Sequence, residues 1–240
     1  MSVYNNLKTV QHVLGAMESN NVNTVGATLE SVEVLRIMEE VYFELMAYGE
    51  WPHLDELRQL ESIADTSRPV YLRIPDAVAT VQSFKYDMEL VEYLEPSKFL
   101  EMSHNLSADA DNVEELSGLN SVQLLIVNNE SPTYWTSFDD EHIVCNSYDK
   151  NKSAILESIK TLIHCKTTPS WVATDEAIPD IPVEMFPTYL AKVKARAFMQ
   201  LKREQSVPDE RQAQVGMSKI RREVSKLHDK NDKRRNSYGR

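Results

Sequence analysis

Apolar residues recur at helical spacing near both ends of the chain and at strand-like spacing between them. Leu7, Val10, Leu14 and Met17 fall on one face of a first predicted helix. Gly15 weakens its end, and a polar, Asn-rich stretch from Glu18 to Thr24 follows. From about Ser31 to Tyr48 the stripe Leu35, Met38, Tyr42 and Leu45, widened by Val34, Ile37 and Val41, predicts a second helix with a broad buried face. Gly49 and Pro52 mark its exit. Two amphipathic helices with a short connection are expected to pack as an antiparallel pair.

From about Leu54 to Lys166 the pattern changes to short apolar runs broken by turn residues. Leu57 to Ala64 and Val70 to Ile74 read as strands, and Thr80 to Met88 reads as a strand with imperfect alternation. Pro96 to Glu101 reads as a short helix, and the acidic stretch Ser107 to Gly118 as an exposed loop. Gln123 to Asn128, Tyr134 to Phe138 and His142 to Asn146 are expected to form an antiparallel meander. Leu156 to Lys166 suits either a helix or a strand, and its β-branched residues favour the strand.

Pro169, Pro179, Pro182 and Pro187 make the next stretch a semi-rigid traverse. Phe186, Leu190, Val193, Ala197 and Leu201 then give a buried helical stripe. Pro208, Asp209 and Glu210 open another helix, in which Ala213, Met217, Ile220, Val224 and Leu227 continue a heptad-like seam. From His228 onward apolar residues are nearly absent, so that tail is expected to be disordered unless a partner orders it. The predicted divisions are 1–53, a helical hairpin; 54–166, a β-rich domain; 167–205, the traverse and a bundle helix; and 206–240, a basic arm. The expected class is α+β: an antiparallel helical bundle of N- and C-terminal helices, an inserted antiparallel β-domain and an extended C-terminal helical arm.

Charge sharpens this division. The 240 residues carry a net −11, but residues 191–240 hold 15 Lys+Arg against 6 Asp+Glu, a net +9, leaving −20 for residues 1–190. An acidic body repels nucleic acid and anionic membranes at long range, whereas the basic tail can touch DNA, dock on an acidic protein surface, or solvate a peripheral helix. Two cysteines, Cys145 and Cys165, exclude a disulfide-stapled scaffold and point to a reducing compartment. The N-terminal residues show no signal-peptide pattern, and no apolar run is long enough to suggest a membrane span.

Motifs for chemistry are sparse. No phosphate-binding loop, nucleophile elbow or H-E-x-x-H sequence occurs. His142 with Cys145, and His164 with Cys165, supply donors suited to zinc, but strand alternation would point the members of each pair to opposite faces. Asp139-Asp140-Glu141 reads as a solvated turn, and Tyr134, Trp135 and Phe138 as core aromatics, since no Lys or Arg is interleaved for a nucleic-acid platform. Neither an enzyme activity nor a metal or cofactor is expected. The stripe from Met217 to Leu227, flanked by Arg211, Lys219, Arg221, Arg222 and Lys226, suits either a core face or a partner seam.

The order of parts carries a resemblance. A two-helix start closing on Gly49-Glu50-Trp51, the phrase Ser131-Pro132-Thr133-Tyr134-Trp135-Thr136-Ser137-Phe138-Asp139-Asp140 followed by Tyr148-Asp149, and Ile178-Pro179-Asp180-Ile181-Pro182 leading to Phe186, Tyr189 and Leu190 together resemble the head-to-tail adaptors of tailed bacteriophages. The tail tubular protein A group is the nearest comparison, over most of residues 1–205. The resemblance implies a structural virion protein of the neck, assembled in the bacterial cytoplasm. Such proteins form a ring, in this family a dodecamer, that joins the portal to the next tail or nozzle protein. The ring extends a channel through which DNA passes without specific binding. It further implies a C-terminal arm on the portal, with Met217, Ile220, Val224 and Leu227 as apolar anchors and Arg221 and Arg222 as charge partners. A head-closure or tail-completion protein, and a nucleic-acid-binding accessory protein that uses the basic tail, are the alternatives.

Overall fold

The computed structural model describes residues 4–49, 51–117 and 123–237, the side chains of 117 and 223–237 excepted. The chain divides into two compact units, one of residues 1–53 with 169–240 and the other of residues 54–168.

The first unit is helical. Helix α1 (Asn6–Ala16) begins where the Asn5 side chain accepts from the Lys8 N–H, and it buries Val10, Val13 and Leu14. The proline-rich return satisfies its remaining early donors: Asn6 N–H bonds to the Ala177 carbonyl at 2.8 Å and Leu7 N–H to Asp175 at 3.1 Å. The Asn6 amide adds bonds to the carbonyls of Val172 and Thr174. Helix α2 (Leu29–Met46) opens on a capping box between Thr28 and Ser31 and buries Val34, Ile37, Met38, Val41, Tyr42 and Leu45. At its far end the Trp51 indole N–H donates to the Met46 carbonyl at 3.1 Å, which gives a structural use to the tryptophan after Gly49. Helix α4 (Phe186–Ala197) packs on α1 and α2, and the buried Tyr189 hydroxyl donates to the Met38 carbonyl. A π-helical turn (Phe198–Lys202) and left-handed Arg203 end it, and α5 (Val207–Ser237) runs back along α4. The helix therefore continues to Ser237, within the segment that the composition assigns to disorder.

The second unit is built on strands β1 (Asp55–Arg58), β2 (Glu61–Ser62), β3 (Tyr71–Arg73), β4 (Val78–Tyr86), β5 (Glu89–Tyr93), β8 (Tyr134–Thr136), β9 (His142–Cys145) and β10 (Thr161–Thr167). They form one sheet in the order β1-β10-β4-β5-β8-β9-β3-β2. A second ladder pairs β6 (Val113–Ser117) with β7 (Gln123–Val127). Helix α3 (Pro96–His104) is tied to it where the Ser103 hydroxyl bonds both the N–H and the carbonyl of Leu125. The core gathers Leu72, Phe84, Phe99, Trp135, Ile143 and Ile163, all at most 6% exposed. Tyr148, whose hydroxyl donates to the Glu114 carboxylate at 2.9 Å, has its pKa pushed up to about 12 by burial and by that carboxylate.

The expected helical bundle with an inserted antiparallel β-domain is corrected. The chain is mixed α/β, with five α-helices among the described residues and a large, curled eight-stranded sheet, a half-barrel. Three local causes account for the difference. Strands β5 and β8 pair in parallel, with Glu92 opposite Tyr134, which demands a long crossover that carries α3 and the β6–β7 ladder. Strand β7 leaves the expected meander to pair with β6, which lies inside the acidic stretch read as a loop. At the margin, β1 is the four residues Asp-Glu-Leu-Arg, an edge strand whose charges hide its periodicity. The ambiguous segment 156–166 splits into a 3-10 turn (Ser158–Lys160) and strand β10.

Candidate docking surface on the C-terminal helix

Helix α5 is held to α4 along a narrow seam. Glu210 N–H bonds to the Ser206 carbonyl, and the Ser206 hydroxyl donates to the Asp209 carboxylate, which fixes the first turn. Ala213, Met217 and Ile220 then face inward, each at most 8% exposed. Between them Gly216 lets the helices approach closely: a Cβ there would lie 2.1 Å from the Thr188 hydroxyl oxygen and 2.8 Å from Thr188 Cβ. No rotamer of a β-branched side chain moves its own Cβ, so glycine is required by contact rather than by backbone conformation.

The predicted arm residues consequently separate. Met217 and Ile220 are spent on the packing of their own unit, because α4 supplies the partner that the seam needed. Arg221 lies with its guanidinium carbon 5.1 Å from the centre of the Tyr48 ring, and the ammonium of Lys192 stands 5.7 Å from the same centre. Arg222 is exposed. The side chains of Val224 and Leu227 lie outside the described residues. The surface that α5 offers is thus its outward side, where Val207, Arg211, Val215, Lys219 and Arg222 are exposed. The sequence lists these residues, but only the packing on α4 shows that they make one face.

Beside α5, acids of α2 meet bases of α4. Glu44 accepts from Lys192 and from Arg196, the latter at 2.6 Å, and Arg196 also approaches Glu40 at 3.7 Å. Burial opposes the charge on Glu44, but the two cations outweigh it and hold its pKa below the usual 4.5.

The other sequence candidates stay apart from this surface. Among the described residues no group of three or more His, Cys, Asp or Glu could hold a metal ion. Cys145 and Cys165 are buried free thiols, and burial pushes the Cys145 pKa far up. His142 bonds the Asp139 carboxylate at 2.7 Å, and Asp139 also accepts the N–H groups of Glu141 and His142. That group closes the turn before β9. Trp135 packs edge-on against Phe84 and Tyr93, and Phe138 against Phe99. No described helix is long and apolar enough to cross a membrane. No protein-family model matches the chain, and no curated protein matches it in sequence.

Proposed function

We propose that this protein is a structural component of a phage neck, a head-to-tail adaptor whose copies form a ring between the portal and the next tail or nozzle protein. The reading rests on the resemblance of residues 1–205, and α5 is the observation that carries it. This helix is 31 residues long. Residues 213–220 anchor it, and beyond them residues 221–240 hold eight Lys+Arg against three Asp+Glu. At 1.5 Å per residue, the part past Ile220 extends for roughly 25 Å as a cationic rod. A rod of this kind suits capture by an acidic protein groove. The β unit nets −11, which suits a neighbour of DNA that must slide rather than adhere.

The anchoring changes how the arm is to be tested. Removing residues 206–240 would strip α4 of Met217 and Ile220, whereas ending the chain at Arg222 leaves that packing in place. Full-length and shortened proteins are mixed with the portal oligomer and weighed by native mass spectrometry. The expected result is addition of full-length copies to the portal and loss of addition on shortening, with an unchanged thermal midpoint and a helical signal lowered only by the residues removed. Undiminished addition by the shortened chain, or a full-length chain that ignores the portal and shifts DNA at low salt, would reject the adaptor reading. The second outcome would favour the nucleic-acid alternative, whose affinity must fall steeply as salt rises.

A further inference from the structure

The helical unit carries two exposed surfaces of opposite sign. One is the proline-rich return. Residues 167–191 hold four acids, Asp175, Glu176, Asp180 and Glu184, and no Lys or Arg. Asp175 is used inside the unit, where its carboxylate accepts the Val25 N–H at 2.8 Å. Glu176, Asp180 and Glu184 are exposed and form no ion pair among the described residues. Pro179, Ile181 and Met185 are buried, which leaves Ile178, 62% exposed, and Val183, 48% exposed, at the surface among these acids. Lys8 is a cation near the return, because Leu7 N–H bonds to the Asp175 carbonyl, but it is paired with none of the three.

The other surface is the outward side of α5. Arg211, Val215, Lys219 and Arg222 follow one another at helical spacing, opposite to Ala213, Met217 and Ile220. Val207, 64% exposed, and Val215, 52% exposed, supply its apolar ground. Asp209 and Glu210 lie in the first turn and are partly buried, so no acid stands among these three cations. Arg211, Lys219 and Arg222 form no ion pair among the described residues.

The return is held in shape before anything binds. Ile181 N–H bonds to the Pro179 carbonyl at 2.8 Å and Met185 N–H to Pro182 at 2.9 Å, and the prolines fix their own φ, so docking costs it little freedom. The spans are compatible. Arg211 to Arg222 covers ~16 Å along the helix axis, and Glu176 to Glu184 reaches at most ~26 Å before its turns shorten it. The helical unit is formally neutral, so two such units meet without net repulsion while the separated acids and bases attract.

We infer that the outward face of α5 in one copy docks on the proline-rich return of a second copy. Arg211, Lys219 and Arg222 meet Glu176, Asp180 and Glu184, while Val207 and Val215 cover Ile178 and Val183. The two surfaces are unlike, so the contact is heterologous and passes from copy to copy. It leaves α5 beyond Arg222 free for another partner, and it stands or falls separately from the adaptor reading.

Sedimentation of the full chain over a range of concentrations tests the contact at physiological and at high salt. At the lower of these the like charge of the β units is already screened beyond ~8 Å. Two variants are compared with wild type: Glu176→Lys with Glu184→Lys, and Arg211→Glu with Lys219→Glu. Wild-type mass is expected to rise with concentration and to fall back at high salt, and each variant alone to associate ~tenfold or more weakly. An equimolar mixture of the two variants is expected to regain association, since the reversed return of one then faces the reversed helix of the other. A wild-type mass independent of concentration, an association that salt leaves unchanged, a variant that associates like wild type, or a mixture that stays apart would each overturn the inference. If a reversed variant fails to fold, Glu176→Gln with Glu184→Gln, or Arg211→Gln with Lys219→Gln, replaces it, and unchanged association of that pair is equally fatal. Portal binding is a different readout, so either proposal can fail alone.

Discussion

Met88 occupies a position that hairpins ordinarily give to glycine or asparagine. The two-residue loop joining β4 to β5 sets Asp87 at φ 50° and Met88 at φ 70°, the positive values that a tight twisted hairpin requires. Aspartate tolerates this region, whereas methionine has no local hydrogen bond to offset the crowding. Met88→Gly is therefore expected to stabilise the protein by ~1 kcal/mol, the relief of strain exceeding the extra freedom of glycine in the unfolded chain. Thermal unfolding checks this, and a lowered midpoint would mean that the side chain makes folded-state contacts despite its exposure. The same residue explains a misreading. With no glycine to mark the turn, the alternation from Thr80 runs on through Met88 as if one strand continued. The helical unit hides a comparable break, since no Gly or Pro announces the π-helical turn at Phe198–Lys202 or left-handed Arg203.

Helices were more legible than strands because a stripe of period 3.6 survives scattered polar substitution. Val10, Leu14, Ile37, Met38, Tyr42, Val193 and Ala197 are buried where the periodicity puts them. The seam of α5 was equally visible, but not its partner, because a stripe gives a face and not what covers it. The Gly216–Thr188 contact tests that packing. Gly216→Ala is expected to cost about 1–3 kcal/mol by forcing α5 off α4. Thr188→Ala removes the two nearest atoms, at 2.1 and 2.5 Å, and leaves Cβ at 2.8 Å, so the double variant should recover part of the loss in denaturant titration. Full additivity would show that the helices part elsewhere. The α2–α4 pairing has its own signature in pH. Glu44 is held below 4.5 in the folded protein, so its contribution is complete above that value and fades as pH falls through the lower folded pKa. Glu44→Gln should accordingly flatten the loss of stability on the acid side, and an unchanged slope would assign that loss to other carboxylates.

Across the whole molecule, the charge asymmetry seen along the sequence is redistributed by folding. Read linearly, it sets a basic tail against an acidic body. In three dimensions the tail joins residues 1–53 and 169–190, whose net −9 its +9 cancels, while residues 54–168 keep −11. Summed by unit, the helical unit is formally neutral, and the β unit holds the uncompensated charge. Self-repulsion of like charge destabilises a compact unit, and it weakens as the screening length falls from ~30 Å at about 0.01 M salt to ~8 Å at about 0.15 M. The two units should then respond differently to salt. Trp135 reports on the β unit, and Trp51 and Trp171 on the helical unit. In proteins that retain one reporter at a time, the midpoint followed at Trp135 is expected to rise with salt. The midpoint followed at Trp51 or Trp171 should stay nearly level, or fall slightly as the Glu44, Lys192 and Arg196 pairs are screened. Parallel shifts at all three would mean that the units unfold as one cooperative body. Opposite shifts would show that the chain keeps two electrostatic accounts, one closed by its own C-terminal helix and one left open.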